Sequence, residues 1–128
     1  MSTDTPADRR YTDAHEWTRE DGDIVRVGIT HFAQDQLGDV VYVDLPATGA
    51  EVEQGQAFGE VESTKSVSDL YAPVSGVIRE RNDDLEDRPE LINEDPYGDG
   101  WMVTIEPRDR GELDGLMDAD AYDAFVQG

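Results

Sequence analysis

The sequence has no cysteine, one lysine and two histidines in 128 residues. Without cysteine there are no disulfides, no thiolate metal sites and no cysteine nucleophile. His15 and His31 form no HxxxH pair, so a zinc site of three or four ligands has no basis here. The acid-rich run from Asn93 to Asp99 lacks the ligand spacing of a calcium loop. No metal is expected. No apolar run reaches bilayer length, and the opening MSTDTPADRR has no apolar core of a secretory signal. A cytoplasmic protein without membrane contact is expected. No nucleophile–base pair stands out, which argues against an enzyme.

Positive charge is also scarce. Ten Lys and Arg stand against 31 Asp and Glu, a net charge of -21. Such a surface repels nucleic-acid phosphate and anionic lipid, so neither is expected as a partner. The acids are spread between apolar positions rather than gathered in a tail, as in a folded surface adapted to high salt. Nine of the ten cations are arginine, and the only lysine is Lys65. Arginine does not give up its proton or form an ordinary amide, so a lone lysine in this background marks a position that needs a primary amine.

The patterning is that of short strands. Residues 1–10 read as a flexible N-terminal arm, and 11–128 as one domain. Val25, Val27 and Ile29 alternate with Arg26 and Gly28, as in a half-buried strand. Thr30 can cap a short helix over 31–37 that ends at Gly38, with Phe32, Ala33 and Leu37 inward. Residues 40–45 make the next strand, with Val41, Val43 and Leu45 on one face. Short segments at 51–53, 57–62, 67–71 and 76–81 follow, separated by turn residues. Residues 82–100 read as irregular. Trp101, Val103 and Ile105 form a late strand. From Asp109 the spacing of Leu113, Leu116 and Met117, then Tyr122, Phe125 and Val126, is helical, with Asp118 as a cap for the last piece. Trp17 and Trp101 are expected in the core. Together this predicts a mainly β fold, a small antiparallel sandwich or barrel with a short helix near 31–37 and C-terminal helices.

Ser63-Thr64-Lys65-Ser66 lies between two β-like runs. It lacks the Gly or Asn of a tight primed turn, so a four-residue loop on a type I turn is expected, with Lys65 at the tip. Val61 and Val67 would anchor the strands, and Gly55 and Gly76 would bend the hairpin back into the body. A solvated amine at a hairpin tip suits attachment of a swinging group better than acid–base catalysis.

Several motifs in order resemble the H-protein family of the glycine cleavage system, from about Tyr11 to Val126. They are HEW at 15–17, VGIT at 27–30, LGDVVYVDLP at 37–46, ESTKSVSDLYAPVSG at 62–76 and PELINEDPYGDGW at 89–101. The family's usual residue before the lysine is Val; here it is Thr64. The resemblance implies the lipoyl/biotinyl carrier type of fold and lipoic acid attached as lipoyl-lysine at Lys65. It implies that the chain carries the aminomethyl group of glycine from the glycine decarboxylase (P protein) to the aminomethyltransferase (T protein). Dihydrolipoamide dehydrogenase (L protein) would reoxidise the carrier, and a lipoate ligase or lipoyl transferase would load it. Glu16 and Asp69, within the matched motifs, are candidates for holding the loaded arm. Alternatives are a lipoyl or biotinyl domain of another complex, an H-like protein relaying lipoate to other acceptors, and an unmodified interaction protein.

The charge pattern makes a prediction of its own. Added salt screens the self-repulsion of 31 acids, since the Debye length shrinks to about 3 Å at 1 M. The melting temperature should rise from dilute buffer to molar KCl. An unchanged value counts against a salt-adapted surface.

Overall fold

The computed structural model describes residues 5–127. In chain order the strands are β1 (Arg10–Tyr11), β2 (Glu16–Asp21), β3 (Ile24–Ile29), β4 (Val40–Asp44), β5 (Glu51–Val52), β6 (Ala57–Ser63), β7 (Val67–Tyr71), β8 (Gly76–Arg81) and β9 (Val103–Pro107). The α-helices are α1 (His31–Leu37), α2 (Asp84–Asp87), α3 (Leu91–Glu94) and α4 (Ala119–Gln127). Six strands form one antiparallel sheet in the order β1-β2-β3-β9-β8-β5, and three form a second, β4-β6-β7. The expected mainly β, antiparallel architecture with a short helix at 31–37 and a C-terminal helix is present. No helix among the described residues is long and apolar enough to cross a membrane.

The alternation in β3 does what its period of two requires: Val25, Val27 and Ile29 are all buried. Ile29 joins Val43, Val61 and Leu70 of the small sheet in one apolar cluster, which packs the two sheets together. Thr30 caps α1 by accepting from the Ala33 N–H at 3.2 Å. Gly38 ends α1 at φ +83°, a left-handed region that side chains avoid. Asn93 then pins this corner. Its side-chain amide donates to Gly38 O at 2.8 Å and to Gln34 Oε1 at 2.9 Å, and its oxygen accepts from Val40 N–H at 2.8 Å. That accounts for an asparagine here.

Several expectations need correction. A β-bulge between Val40 and Tyr42 breaks the alternation of β4. Val40 and Val43 point inward, while Val41, expected on the same face as Val43, faces solvent. Val61 is buried, but Val67 is exposed and anchors nothing inside. Residues 82–100 contain α2 and α3, with Leu85, Leu91 and Ile92 in the core. The first part of the C-terminal tail is a 3-10 helix over Arg110–Gly115, and Met117 bridges to Tyr11 as a strand residue would. Among the described residues of this tail only α4 is an α-helix, and Asp118 does cap it, accepting from Ala121 N–H at 2.8 Å. Gly76 serves close approach rather than bending, since a Cβ there would collide with the Glu106 carbonyl of β9. Trp17 is buried as expected, whereas Trp101 is half-buried beneath Arg26.

Of the arm expected over residues 1–10, residues 1–4 lie outside the described residues. Arg9 lies over the Trp17 ring at 4.5 Å and donates to Tyr97 O at 2.7 Å. Arg26 lies over Trp101 at 4.6 Å. At these two positions the planar guanidinium stacks on an indole as an ammonium would not, so two of the nine arginines are specified by packing rather than by charge alone.

Candidate functional site

The loop that carries Lys65 is shorter than expected. Ser63 belongs to β6, so only Thr64, Lys65 and Ser66 connect it to β7. Ser63 sets the loop's shape. Its backbone N–H donates to Ser66 O at 2.8 Å, and its hydroxyl oxygen accepts from Ser66 N–H at 3.1 Å and Lys65 N–H at 3.3 Å. Thr64 N–H donates to Asp39 O at 3.0 Å, tying the loop to the end of α1. The backbone of the tip is held from two sides while the Lys65 side chain is exposed. Its aliphatic stem runs beside Gly38: a Cβ added there would stand 3.4 Å from Lys65 Cε.

From Ser66 a cleft of about 400 Å³ follows β7 toward the start of β2. One wall is Ser66, Ser68 and Leu70; the other is α1 through Phe32, Ala33 and Leu37. Ile29 and Val61 are among its other lining residues, and His15 and Glu16 close the far end. A larger hollow of about 600 Å³ lies on the other side of Glu16, bounded by Tyr71 and Phe125 but not by the Lys65 loop. The smaller cleft is the one that the Lys65 loop borders, through Ser66.

Glu16 is 1% exposed. Its carboxylate accepts from the Thr12 hydroxyl at 2.6 Å and from Tyr71 N–H at 3.0 Å, joining the large sheet to the edge of the small one. Burial outweighs these hydrogen bonds and pushes its pKa up to about 7. Asp69 also borders the cleft, but differently. Tyr71 N–H points away from β6, and by the two-residue period so does the backbone of Asp69. The Asp69 side chain lies in an outward row opposite Glu60 and Asp44. The two candidates therefore share the cleft with unequal burial.

His15 was not singled out from the sequence beyond its lack of zinc spacing. It is the one described non-glycine residue with positive φ, at 70°. Its Nδ1 lies 2.8 Å from Tyr122 Oη, which lies 2.7 Å from Thr30 Oγ1. The ring packs on Phe32 and Phe125, and burial holds its pKa below the usual value. This chain of hydrogen bonds locks α4, the α1 cap and the cleft's end together. A histidine directly before the buried Glu16 was the available signal, but its strained backbone was invisible in the sequence.

Comparison with known proteins follows the same outline. The family profile described as glycine cleavage H-protein matches residues 9–128. The chain belongs to that family. A glycine cleavage system H protein from Anaeromyxobacter sp. (strain K) is 62% identical over 122 residues, 95% of either chain. A probable glycine cleavage system H protein from Haloarcula marismortui is 59% identical, over 95% of this chain and 96% of the relative. The crystal structure of a glycine cleavage system H protein from Mycobacterium marinum superposes with a TM-score of 0.89 at 45% identity, covering 96% of this chain and 99% of that one. The family is a carrier family of glycine cleavage, and the motifs named above all fall within the matched residues.

Glu16 generates a pH prediction. Its folded pKa of about 7 is raised from an ordinary 4.5, so the folded state keeps a proton that the unfolded chain releases. Its contribution is fully present below 4.5 and is lost as pH rises through 7. Glu16→Gln should therefore gain stability relative to wild type between pH 5 and pH 8, by up to about 3 kcal/mol at 1.36 kcal/mol per unit. Denaturant titrations at both pH values measure this; a constant difference between the two proteins refutes the burial argument.

Proposed function

We propose that this chain is a lipoyl-bearing carrier, modified at Lys65. In this reading it takes the aminomethyl group of glycine from the glycine decarboxylase to the aminomethyltransferase, and dihydrolipoamide dehydrogenase reoxidises it, all in the cytoplasm. A lipoate ligase or lipoyl transferase supplies the group. The observation that carries the reading is the placement of the chain's only lysine at an exposed hairpin tip beside a cleft that ends on a buried carboxylate.

The residues present suit the group. An extended lysine acylated with lipoic acid reaches roughly 15 Å by ordinary bond lengths. Five residues of strand from Lys65 to Leu70 span about 17 Å at 3.3 Å each. The walls along that path, Leu37, Val61 and Leu70, are apolar and suit an aliphatic arm. When bound, the dithiolane supplies a disulfide that can open to take up a one-carbon unit and a dithiol that can be reoxidised.

The chain's own part is to hold, orient and shield. Ser63 and Asp39 fix the root of the arm, so that its direction is set by the fold while its end stays free to leave. Phe32, Leu37 and Leu70 keep bulk water from the cleft. Glu16 stands where a cationic amine on the arm would arrive. Pairing with that cation favours the ionised carboxylate and pulls its pKa back down. Asp69, in the outward row of the small sheet, adds negative charge beside the cleft. None of these groups needs to make or break a bond in substrate.

Two outcomes test this. Lys65→Arg keeps the charge and removes the acylatable amine. It should yield no lipoyl adduct by intact mass and should support no glycine cleavage when the other three proteins are supplied; activity equal to wild type sinks the carrier reading. Glu16→Gln, fully lipoylated and loaded with the decarboxylase and glycine, should release ammonia to water several-fold faster than wild type at pH 8. Equal release rates remove Glu16 from the docking role and leave Lys65 untouched.

A further inference from the structure

Among the described residues the exposed large apolar side chains are few: Val41, Tyr42, Val67, Tyr71 and Phe125. The first four lie on the two outer strands of the three-stranded sheet, and three of these are close to the Lys65 loop. Tyr42, Glu62 and Val67 stand opposite one another across β4, β6 and β7. Directly opposed residues share a face, so these three form one outward row. Tyr42 and Val67 are each 56% exposed and Val41 is 48% exposed. Val67 is two residues beyond Lys65. Adjacent strands lie about 4.8 Å apart, so Tyr42 is about 10 Å from Val67 across the sheet.

The exposure has a structural cause. A regular β4 could not turn both Val41 and Tyr42 outward; the bulge between Val40 and Tyr42 does so, while Val40 and Val43 remain buried. The bulge thus creates an apolar spot at the root of the hairpin on a surface otherwise dominated by acids. Glu62 stands between Tyr42 and Val67, and Asp39, Asp44, Glu60 and Asp69, all exposed, lie around them. Apolar anchors interleaved with acids of one sign suit a docking site, and these acids ask for a partner whose facing surface is basic.

We infer that this face receives the enzyme that acylates Lys65. The inference rests on the carrier reading above. Enzymes that use the loaded arm meet its far end, about 15 Å from the backbone by ordinary bond lengths. The acylating enzyme differs, because it must bring its catalytic centre to Lys65 Nζ itself. It must then cover the hairpin root, where Tyr42, Val41 and Val67 stand. The apolar spot gives it an anchor, and the acids give it charge complementarity through lysines and arginines of its own.

The test uses the full, unmodified chain with Tyr42→Ser and Val67→Ser, singly and together. Both positions are exposed, so the fold should be kept; thermal melts check this. With lipoate, ATP and a lipoate ligase, kcat/KM for Lys65 acylation, read by intact mass, should fall about tenfold or more in the double variant, as expected for loss of central anchors. After prolonged incubation to full modification, the variants should be reduced and reoxidised by dihydrolipoamide dehydrogenase at the wild-type rate. Variants acylated as fast as wild type overturn the inference, as does a defect confined to the decarboxylase or the dehydrogenase. A wild-type chain that accepts no lipoyl group overturns the carrier reading, and this surface with it.

Discussion

The site depends on one buried carboxylate. Glu16 belongs to the large sheet, yet its side chain accepts from the backbone of Tyr71 on the small one. An acid placed here with no partner would cost several kcal/mol, or would stay protonated. Two hydrogen bonds reduce that cost without removing it, which is why its pKa sits near 7 rather than at the ordinary carboxylate value. The residue therefore joins the sheets and also retains unspent capacity to stabilise a cation.

The surface acids work differently. The ion pairs among the described residues involve side chains that are mostly well exposed, such as Arg79–Glu106 and Arg108–Glu53. Pairs of this kind contribute little to stability. With 31 acids against ten cations, carboxylates outnumber the available cationic partners about three to one. Cohesion comes instead from the apolar clusters between the sheets and from side-chain staples such as Asn93, Ser63 and Glu112, the last accepting from Ser75 N–H at 2.7 Å. The exposed, unpaired acids govern what approaches the molecule, and their mutual repulsion opposes cohesion rather than supplying it.

The sequence made the strand pattern of β3, the Thr30 cap, the Gly38 stop and the hairpin around Lys65 legible, because each rests on interactions within a few residues. The errors share a physical origin. Strict alternation puts Val41 on the face of Val43, but a bulge is a property of two strands, not of one. Val67 follows the same logic, since its facing is set by its register with Glu62. The helices at 84–87 and 91–94 are single turns without side-chain caps, and tertiary contacts rather than local propensity hold them. Glu16 and Asp69 were equal candidates in sequence; only the fold separates a buried carboxylate from an outward one. His15 passed unmarked because backbone strain leaves no compositional trace.

A carrier must satisfy two opposed demands. The attached group has to leave the protein to react elsewhere, and it has to be shielded between reactions. A flexible linker meets only the first demand. Here the loop at Lys65 is fixed through Ser63 and the Asp39 carbonyl, so freedom is confined to the side chain itself. Ordering the root beforehand removes an entropic cost that docking would otherwise carry. In the proposed carrier role, the cleft needs only modest affinity to hold the arm, and modest affinity is what lets it go. The glycine at 38 serves the same root: its φ of +83° ends the helix and turns the chain to Asp39, whose carbonyl accepts from Thr64 N–H.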